Sequence, residues 1–415
     1  MVGTGIFTSL GYQLINIQSI FPLLFLWIVG GILAFCGSIT YGELASLYPR
    51  SGGEYALLSR IVHPSIGFGA GIVSATVGFT APAVLASIAL GSYLSPIIHN
   101  INSTIVALFI VLLFHFIHMK SIKFGTFLQN ITTWIKIVFI LIFIGFGLTM
   151  EMPQNISILP TAGDLNIILG GHFAISLVWV SYSYTGWNSI IYIAGDVKNP
   201  GKTISKSMLI ATGAVMIMYI LLNYVFLLST PLENLTGEIE VAFLSGKKIF
   251  GDFGAKIISI GISILLLSTI SSYVFIGPRI IQAMGKDHSF LRIFKKENDD
   301  NIPINAFILQ LFLSLVLILT STFEEVLMYT GVCLILTSSF TVISLFISRY
   351  KKPNVSRPYK AWGYPITPLI YLLLNIWILF YSIKESTMES LIGVGIFTFG
   401  IGGYFILHRN LSSNE

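Results

Sequence analysis

The chain has 415 residues, of which 54% are hydrophobic and only 10% are charged, against about 25% charged residues in ordinary soluble domains. With a mean hydropathy of +0.85, the composition excludes a soluble protein and predicts an all-α, polytopic membrane protein. The basic excess, 23 residues against 18 acidic ones, is scattered over short loops and does not indicate a nucleic-acid partner. The histidines and cysteines show no metal-ligand spacing, so we expect no metal and no cofactor.

Apolar runs of about 20 residues, the length of a membrane-spanning helix, follow one another along the whole chain. We predict eleven full spanning segments, at approximately 20–47, 66–95, 103–119, 126–150, 168–195, 205–228, 252–284, 303–322, 326–349, 365–383 and 389–407. Residues 3–15 have the pattern of the second half of one more helix, whose first half is absent. No linker divides these segments, so residues 1–415 are expected to form one transmembrane domain.

The connections between segments alternate between basic and sparsely charged ones. Most of the 23 lysines and arginines lie in every second connection, whereas Glu233, Glu324 and Glu325 lie on the other side. Because cytoplasmic loops of membrane proteins carry the excess of basic residues, we expect a multi-pass protein of the cell membrane with a cytoplasmic C-terminus.

Two stretches interrupt this apolar pattern. The sixth helix, counting the partial one as the first, contains hydroxyls, a glycine and an amide between Ser181 and Asn188, and Gly3-Thr4-Gly5 opens the chain. A polar interruption inside a membrane is tolerated only where it is buried in protein or lines a cavity. Matching interrupted helices in two halves of a chain point to a transporter's binding site. The alternative is that these glycines only allow helices to pack closely.

The two interruptions offer complementary chemistry. A helix that begins after Gly3-Thr4-Gly5 presents free amides and a positive dipole end, which suit a carboxylate. The carbonyl groups where the sixth helix stops, near Tyr182, suit an ammonium group. A site that combines both groups fits a zwitterion, which is the form of a free amino acid.

Three further charged residues lie in or beside the apolar segments. We expect Glu43 at the cytoplasmic end of the second helix and Glu54 in the loop or re-entrant turn that follows. Lys136 lies roughly 20 Å along the fifth helix from Lys123, at about 1.5 Å per residue. Gln129, Thr133 and Lys136 share one helix face, and an ionisable residue inside the membrane is a functional candidate; a purely structural role is the alternative.

Several motifs resemble those of one transporter superfamily. They are MVGTGIF at residues 1–7, YGELA at 41–45, PRSGGEY at 49–55, SYTGWN at 183–188, KNP at 198–200, and GPR at 277–279 followed by AM at 283–284. In this order they resemble the amino acid–polyamine–organocation (APC) permeases. Within that superfamily they are most similar to the L-type amino acid transporters and their bacterial relatives.

The resemblance implies a five-plus-five inverted repeat with two extra helices, broken helices 1 and 6, and secondary active transport of amino acids by alternating access. The substrate carboxylate would bind the amides of Gly3, Thr4 and Gly5. The amine would bind carbonyls of Tyr182, Ser183 and Thr185 at a break that Gly186 permits, with Tyr182 also as a gating aromatic. Lys136 would stand where sodium-coupled cousins hold an ion, which predicts sodium-independent transport. The family has a half-helix before Gly3, so we expect function to require upstream residues.

Two other classes of function have less support in the sequence. A membrane-embedded enzyme needs paired carboxylates, a metal cluster or a nucleophile–base pair in the membrane, and the sequence displays no such motif. A channel or receptor lacks support from a repeated pore loop or a sensing domain. Among transport modes, uniport, exchange with a second amino acid and proton symport stay open.

Overall fold

The computed structural model describes residues 1–98, 101–120, 122–150, 154 and 156–412, without the side chains of residues 122–130 and 408–412. In the first half of the chain the helices are α1 (Gly5–Asn16), α2 (Ile20–Leu47), α3 (Gly53–Ile61), α4 (Pro64–Val73), α5 (Thr80–Leu94), α6 (Ser103–Lys120), α7 (Ile122–Thr149), α8 (Asp164–Ile168) and α9 (Gly171–Tyr184). The second half contains α10 (Pro200–Ser229), α11 (Leu232–Leu235), α12 (Val241–Asp287), α13 (Ile304–Thr320), α14 (Phe323–Lys351), α15 (Ile366–Glu385) and α16 (Thr387–Ser412).

The described part of the chain is helical and includes no β-strand, which confirms the all-α prediction. Nine helices within this part are long and apolar enough to cross a membrane, with α4 and α5 joined into one by the π-helix Ser74–Gly78. The two remaining predicted segments, 303–322 and 168–195, contain α13, which has 17 residues, and α9, which has 14, so both helices are shorter than the full spans that were predicted. The protein is therefore a multi-pass membrane protein, as its composition predicts.

Two of the helix boundaries have a clear local cause. In α12 the backbone is not helical at Gly251, where φ is +71°, so the long apolar part of this helix begins after that residue, as predicted for segment 252–284. The sixth predicted helix ends at Tyr184. Four residues later, helical structure resumes as a 3₁₀ helix, Ser189–Asp196. The interruption predicted there is thus a break in the helix.

Helix α1 lies at the centre of the molecule. All of its residues from Gly5 to Leu14 are buried, and a helix that is buried on every side belongs to a core rather than a surface. It packs against α9 and α12, while α2 packs along α10 and α5 along α12. Both interrupted segments therefore lie in the interior of the helix bundle.

Glu43 is the centre of a buried ion cluster at the end of α2. Its carboxylate, which has no exposed surface, accepts hydrogen bonds from Arg349 Nε at 3.0 Å and Nη2 at 2.6 Å and forms an ion pair with Arg357 Nε at 2.9 Å. The Ala361 amide donates a further hydrogen bond to it at 2.6 Å. The predicted position at the helix end is correct, but the side chain is buried because α14 and the following loop cover it.

Candidate functional site

The break after α9 is produced by the backbone of two residues. Thr185 leaves the helical region with ψ of 150°, and Gly186 has φ of +94°. An L-residue with a side chain rarely adopts such a positive φ, whereas glycine does so without steric cost. The Thr185 amide and hydroxyl both donate to the Tyr182 carbonyl, at 2.9 and 2.7 Å, and so close the end of the helix.

At the start of the chain, α1 begins at Gly5 without a side-chain cap. Thr4 precedes it in a helical conformation and its side chain makes no capping bond, so no side chain caps the backbone amides at the start of the helix. The Thr4 carbonyl accepts from the Phe7 amide at 3.0 Å and from the Thr8 hydroxyl at 3.2 Å. The Thr4 hydroxyl is buried and has no hydrogen-bond partner among the described residues.

The start of α1 and the break after α9 lie against each other. A Cβ atom added to Gly5 would come within 2.4 Å of Ser183 Oγ and 2.6 Å of Ser183 Cα. Ser9 Oγ, one turn further along α1, lies 2.9 Å from the same Ser183 Oγ. The absence of a side chain at Gly5 therefore allows the start of α1 to touch the end of α9.

A cavity of about 230 Å³, hereafter the central cavity, opens beside these two breaks. Of the residues predicted to bind substrate, Gly3, Tyr182, Thr185 and Gly186 line it. Thr4, Gly5 and Ser183 are buried behind that lining. The aromatic side chains around the cavity are Phe79, Tyr182, Tyr184, Trp187, Tyr192, Tyr273 and Tyr371.

The carbonyl groups predicted to receive an amine already have partners within the protein. The Tyr182 carbonyl accepts both bonds from Thr185 described above, and the Ser183 carbonyl accepts from the Tyr219 hydroxyl at 3.2 Å. Since a carbonyl oxygen has two lone pairs, the Ser183 oxygen retains room for one more donor. A ligand amine at Tyr182 would share or displace a bond from Thr185.

Lys136 lies on α7 with 6% of its surface exposed, and it is one of the residues that line the central cavity. Its Nζ donates to the Thr269 hydroxyl at 2.9 Å and to the Val2 carbonyl at 3.3 Å. The lysine thereby joins α7 to α12 and to the residue before Gly3. On the predicted polar face, Thr133 also has a partner, whereas Gln129 lies outside the residues whose side chains are described.

The sequence alone did not single out Glu54 as a site residue, yet it lines the central cavity. Its carboxylate accepts hydrogen bonds from Tyr41, Asn188 and Tyr192. Gly53, with φ of +64°, precedes it, and a Cβ atom there would come within 2.0 Å of the Tyr192 ring. The one feature of the sequence that pointed to Glu54 was its position directly after Gly52 and Gly53.

Phe79 is a second cavity residue that sequence analysis missed. It follows the π-helix Ser74–Gly78, and its ring lies 5.0 Å from the Tyr192 ring and 6.1 Å from the Tyr273 ring. Single-turn π-helices occur frequently at functional sites. Chemically, the cavity combines a helix start, carbonyl groups, one carboxylate, one lysine and an aromatic wall, which suits a small zwitterion.

Comparisons with known proteins cover nearly the entire chain. A family model described as amino acid permease matches residues 1–402. The large neutral amino acids transporter small subunit 2 of Mus musculus is 24% identical over 98% of this chain and 78% of its own length. The serine/threonine exchanger SteT of Bacillus subtilis is 25% identical over 100% of this chain and 94% of its own length. Solute carrier family 7 member 12 of Mus musculus is 26% identical over 93% of this chain and 84% of its own length.

Proposed function

Because the chain belongs to the amino acid permease family and is therefore a secondary transporter of amino acids, not an enzyme, we propose that its central cavity holds the substrate between the two helix breaks. Family membership confirms the resemblance that the motifs indicated. The contact of Gly5 with Ser183 carries the proposal, because it brings a helix start and a helix end to one place.

The carboxylate of the substrate is proposed to bind at the start of α1. The amides of Gly3, Thr4 and Gly5 belong to or precede the first turn, where backbone donors lack intrahelical partners and the helix dipole favours an anion. Gly3 faces the cavity directly. A substrate carboxylate there would replace the capping side chain that Thr4 does not supply.

The amine of the substrate is proposed to bind at the end of α9. Carbonyl groups of Tyr182, Ser183 and Thr185 are the acceptors, and Gly186 allows the chain to leave the helix at this point. The Tyr182 ring lines the same cavity and is the proposed lid over the bound substrate. The site thus offers carbonyl acceptors at the end of α9 and amide donors at the start of α1. This combination favours an α-amino acid over a molecule that carries only a positive or only a negative charge.

For the transport cycle we propose sodium-independent exchange. Lys136 holds a positive charge against the Val2 carbonyl and the Thr269 hydroxyl, so a sodium ion at that position would be repelled. Exchange with a second amino acid is proposed because one relative is named as a serine/threonine exchanger. We further propose that residues 1–415 form a single domain with a five-plus-five inverted repeat and that the C-terminus is cytoplasmic.

The proposal is tested with purified protein in proteoliposomes loaded with unlabelled amino acids. We expect radiolabelled neutral amino acid to enter only when the lumen contains an amino acid, and to enter equally well when choline replaces sodium outside. The Gly186→Val variant should lose this uptake. Uptake that requires sodium, or that is the same with empty and loaded vesicles, would contradict the transport mode proposed here.

A further inference from the structure

Glu54 is a carboxyl group that the substrate site described above does not use. It is the second residue of α3, with 3% of its surface exposed, and follows Gly52 and Gly53, whose φ angles are +127° and +64°. These two conformations turn the chain sharply out of the preceding loop. Because Gly53 has no side chain, the Tyr192 ring packs directly on its backbone and reaches Glu54.

The surroundings of Glu54 consist of hydrogen-bond donors without a counter-ion. Oε1 accepts from the Tyr41 hydroxyl at 2.8 Å and from Asn188 Nδ2 at 2.9 Å, and Oε2 accepts from the Tyr192 hydroxyl at 3.0 Å. Within the part of the chain that the structure describes, no lysine, arginine or histidine forms an ion pair with this carboxylate. A buried charge without a partner ion is costly, whereas donated hydrogen bonds stabilise it.

These contacts suit both protonation states of the carboxyl group. A tyrosine hydroxyl either donates or accepts, so the Tyr192 hydroxyl can turn and accept a hydrogen bond from protonated Oε2. A proton adds almost no volume, whereas an ammonium group or a metal ion would have to displace one of the three donors.

The other titratable side chains around Glu54 are tyrosines, and the other groups of the cavity lining that can carry a charge are Lys136 and the Met1 amino group. Tyr371 of α15 and, beside Tyr192, Tyr273 of α12 and Ser74 of the π-helix complete the surroundings. The other charged side chain that lines the described cavity, Lys136, is bonded to Val2 and Thr269. Protonation of Glu54 therefore changes the charge of the cavity wall without breaking an ion pair.

We propose that Glu54 binds and releases a proton during transport, and that its charge sets how tightly the segment after the α9 break is held against α3. This inference rests on the transport function proposed above. Asn188 and Tyr192 lie on that segment, and hydrogen bonds to an ionised carboxylate are about twice as strong as neutral ones. Glu54 takes the proton from water at one side of the membrane when an amino acid enters and returns it to water at the other side. The exchanged amino acid leaves without the proton, so each exchange moves one proton, and no other bond changes.

Consequently, protonation weakens the bonds from Asn188 and Tyr192 and frees the segment after the break to move relative to α2 and α3. Loss of the proton restores those bonds and holds the segment in the arrangement seen here. The proton and the substrate would thus bias the same moving element, which is the condition for coupling between two bound species.

The test measures proton movement and substrate movement in the same proteoliposomes. A pH-sensitive dye in the lumen reports proton flux when labelled amino acid is added, over a series of pH values. We expect the wild-type protein to show a proton flux together with uptake and a sigmoidal pH dependence. Glu54→Gln keeps the shape of the side chain but binds no proton, so the proton flux should be lost and the pH profile should become flat. Glu233→Gln, an exposed carboxylate on α11, should behave as the wild type.

A second variant tests the proposal if Glu54→Gln does not reach the membrane. Tyr192→Phe removes one donor to the carboxylate, which destabilises its ionised form and should shift the midpoint of the pH profile to higher pH. An unchanged midpoint, or a Glu54→Gln protein with the wild-type ratio of proton to substrate flux, would overturn the role of Glu54. Wild-type transport without proton flux would also overturn it and leave the transport function intact, whereas failure of the wild type to move any amino acid would refute the proposed function itself.

Discussion

Gly5 of α1 touches Ser183 of α9, so the start of one helix meets the end of the other at a point where a single added carbon atom would overlap the opposing backbone. A Cβ atom at Gly5 would lie 2.6 Å from Ser183 Cα. This contact holds the start of one helix beside the end of the other.

The first prediction concerns this contact. Gly5→Ala should separate α1 from α9, at a cost of about 1–3 kcal/mol for overpacking, and should strongly reduce substrate uptake. The matched control is Gly395→Ala, because an added Cβ at that position meets no described atom within 4 Å. Uptake and surface expression are measured for both variants, and equal uptake by the two would contradict the importance of the contact.

Gly186 provides the second prediction. Its φ of +94° is unfavourable for a residue with a side chain by about 1–2 kcal/mol, and a β-branched residue is the least tolerant. Gly186→Val should abolish substrate binding while the protein still inserts into the membrane. A thermal-shift titration with amino acids measures binding, and a Gly186→Val protein that retains the wild-type shift would place the site elsewhere.

The third prediction concerns the aromatic lid. Tyr182→Ala removes a ring from the cavity wall, and because aromatic contacts contribute about 0.5–1.5 kcal/mol beyond buried area, we expect a several-fold loss of apparent affinity. Tyr182→Phe keeps the ring and should retain most of the affinity. Competition uptake assays measure both variants, and equal loss in the two would assign the effect to the hydroxyl instead.

Lys136 supplies the fourth prediction. Lys136→Ala removes the bonds to Val2 and Thr269, and should lower the rate of transport more than it lowers surface expression. Lys256→Ala, at an exposed lysine, is the control and should leave transport unchanged. A large loss of wild-type uptake when choline replaces sodium would refute the idea that the lysine takes the place of an ion.

The fifth prediction concerns stability at the end of α2. Glu43→Gln would leave Arg349 and Arg357 without their carboxylate, and breaking such a buried pair costs about 3–5 kcal/mol. The exposed pair of Lys247 and Asp252 is the control, because Asp252→Asn should cost only about 0–1 kcal/mol. The melting temperature in detergent measures both, and a Glu43→Gln protein as stable as the Asp252→Asn protein would be evidence against the cluster's role.

By itself, the sequence determined the helical class, the spanning segments and the positions of the interruptions. These features depend on local properties: an apolar run long enough for a bilayer forms a helix, and polar residues with a glycine at its centre mark a break. The motifs also indicated the family correctly, because they are contiguous stretches such as residues 1–7 and 183–188.

Only the tertiary structure decided which side chains meet. Glu54 lies on a short helix far along the chain from Asn188 and Tyr192, and nothing in its local sequence specifies those partners. The tertiary structure likewise decided that Gly3 lines the cavity whereas Ser183 lies behind the lining, although both belong to predicted site motifs. The physical reason is that helix periodicity fixes the relative directions of side chains on one helix, whereas the rotation of that helix and its neighbours are set by packing across the whole bundle.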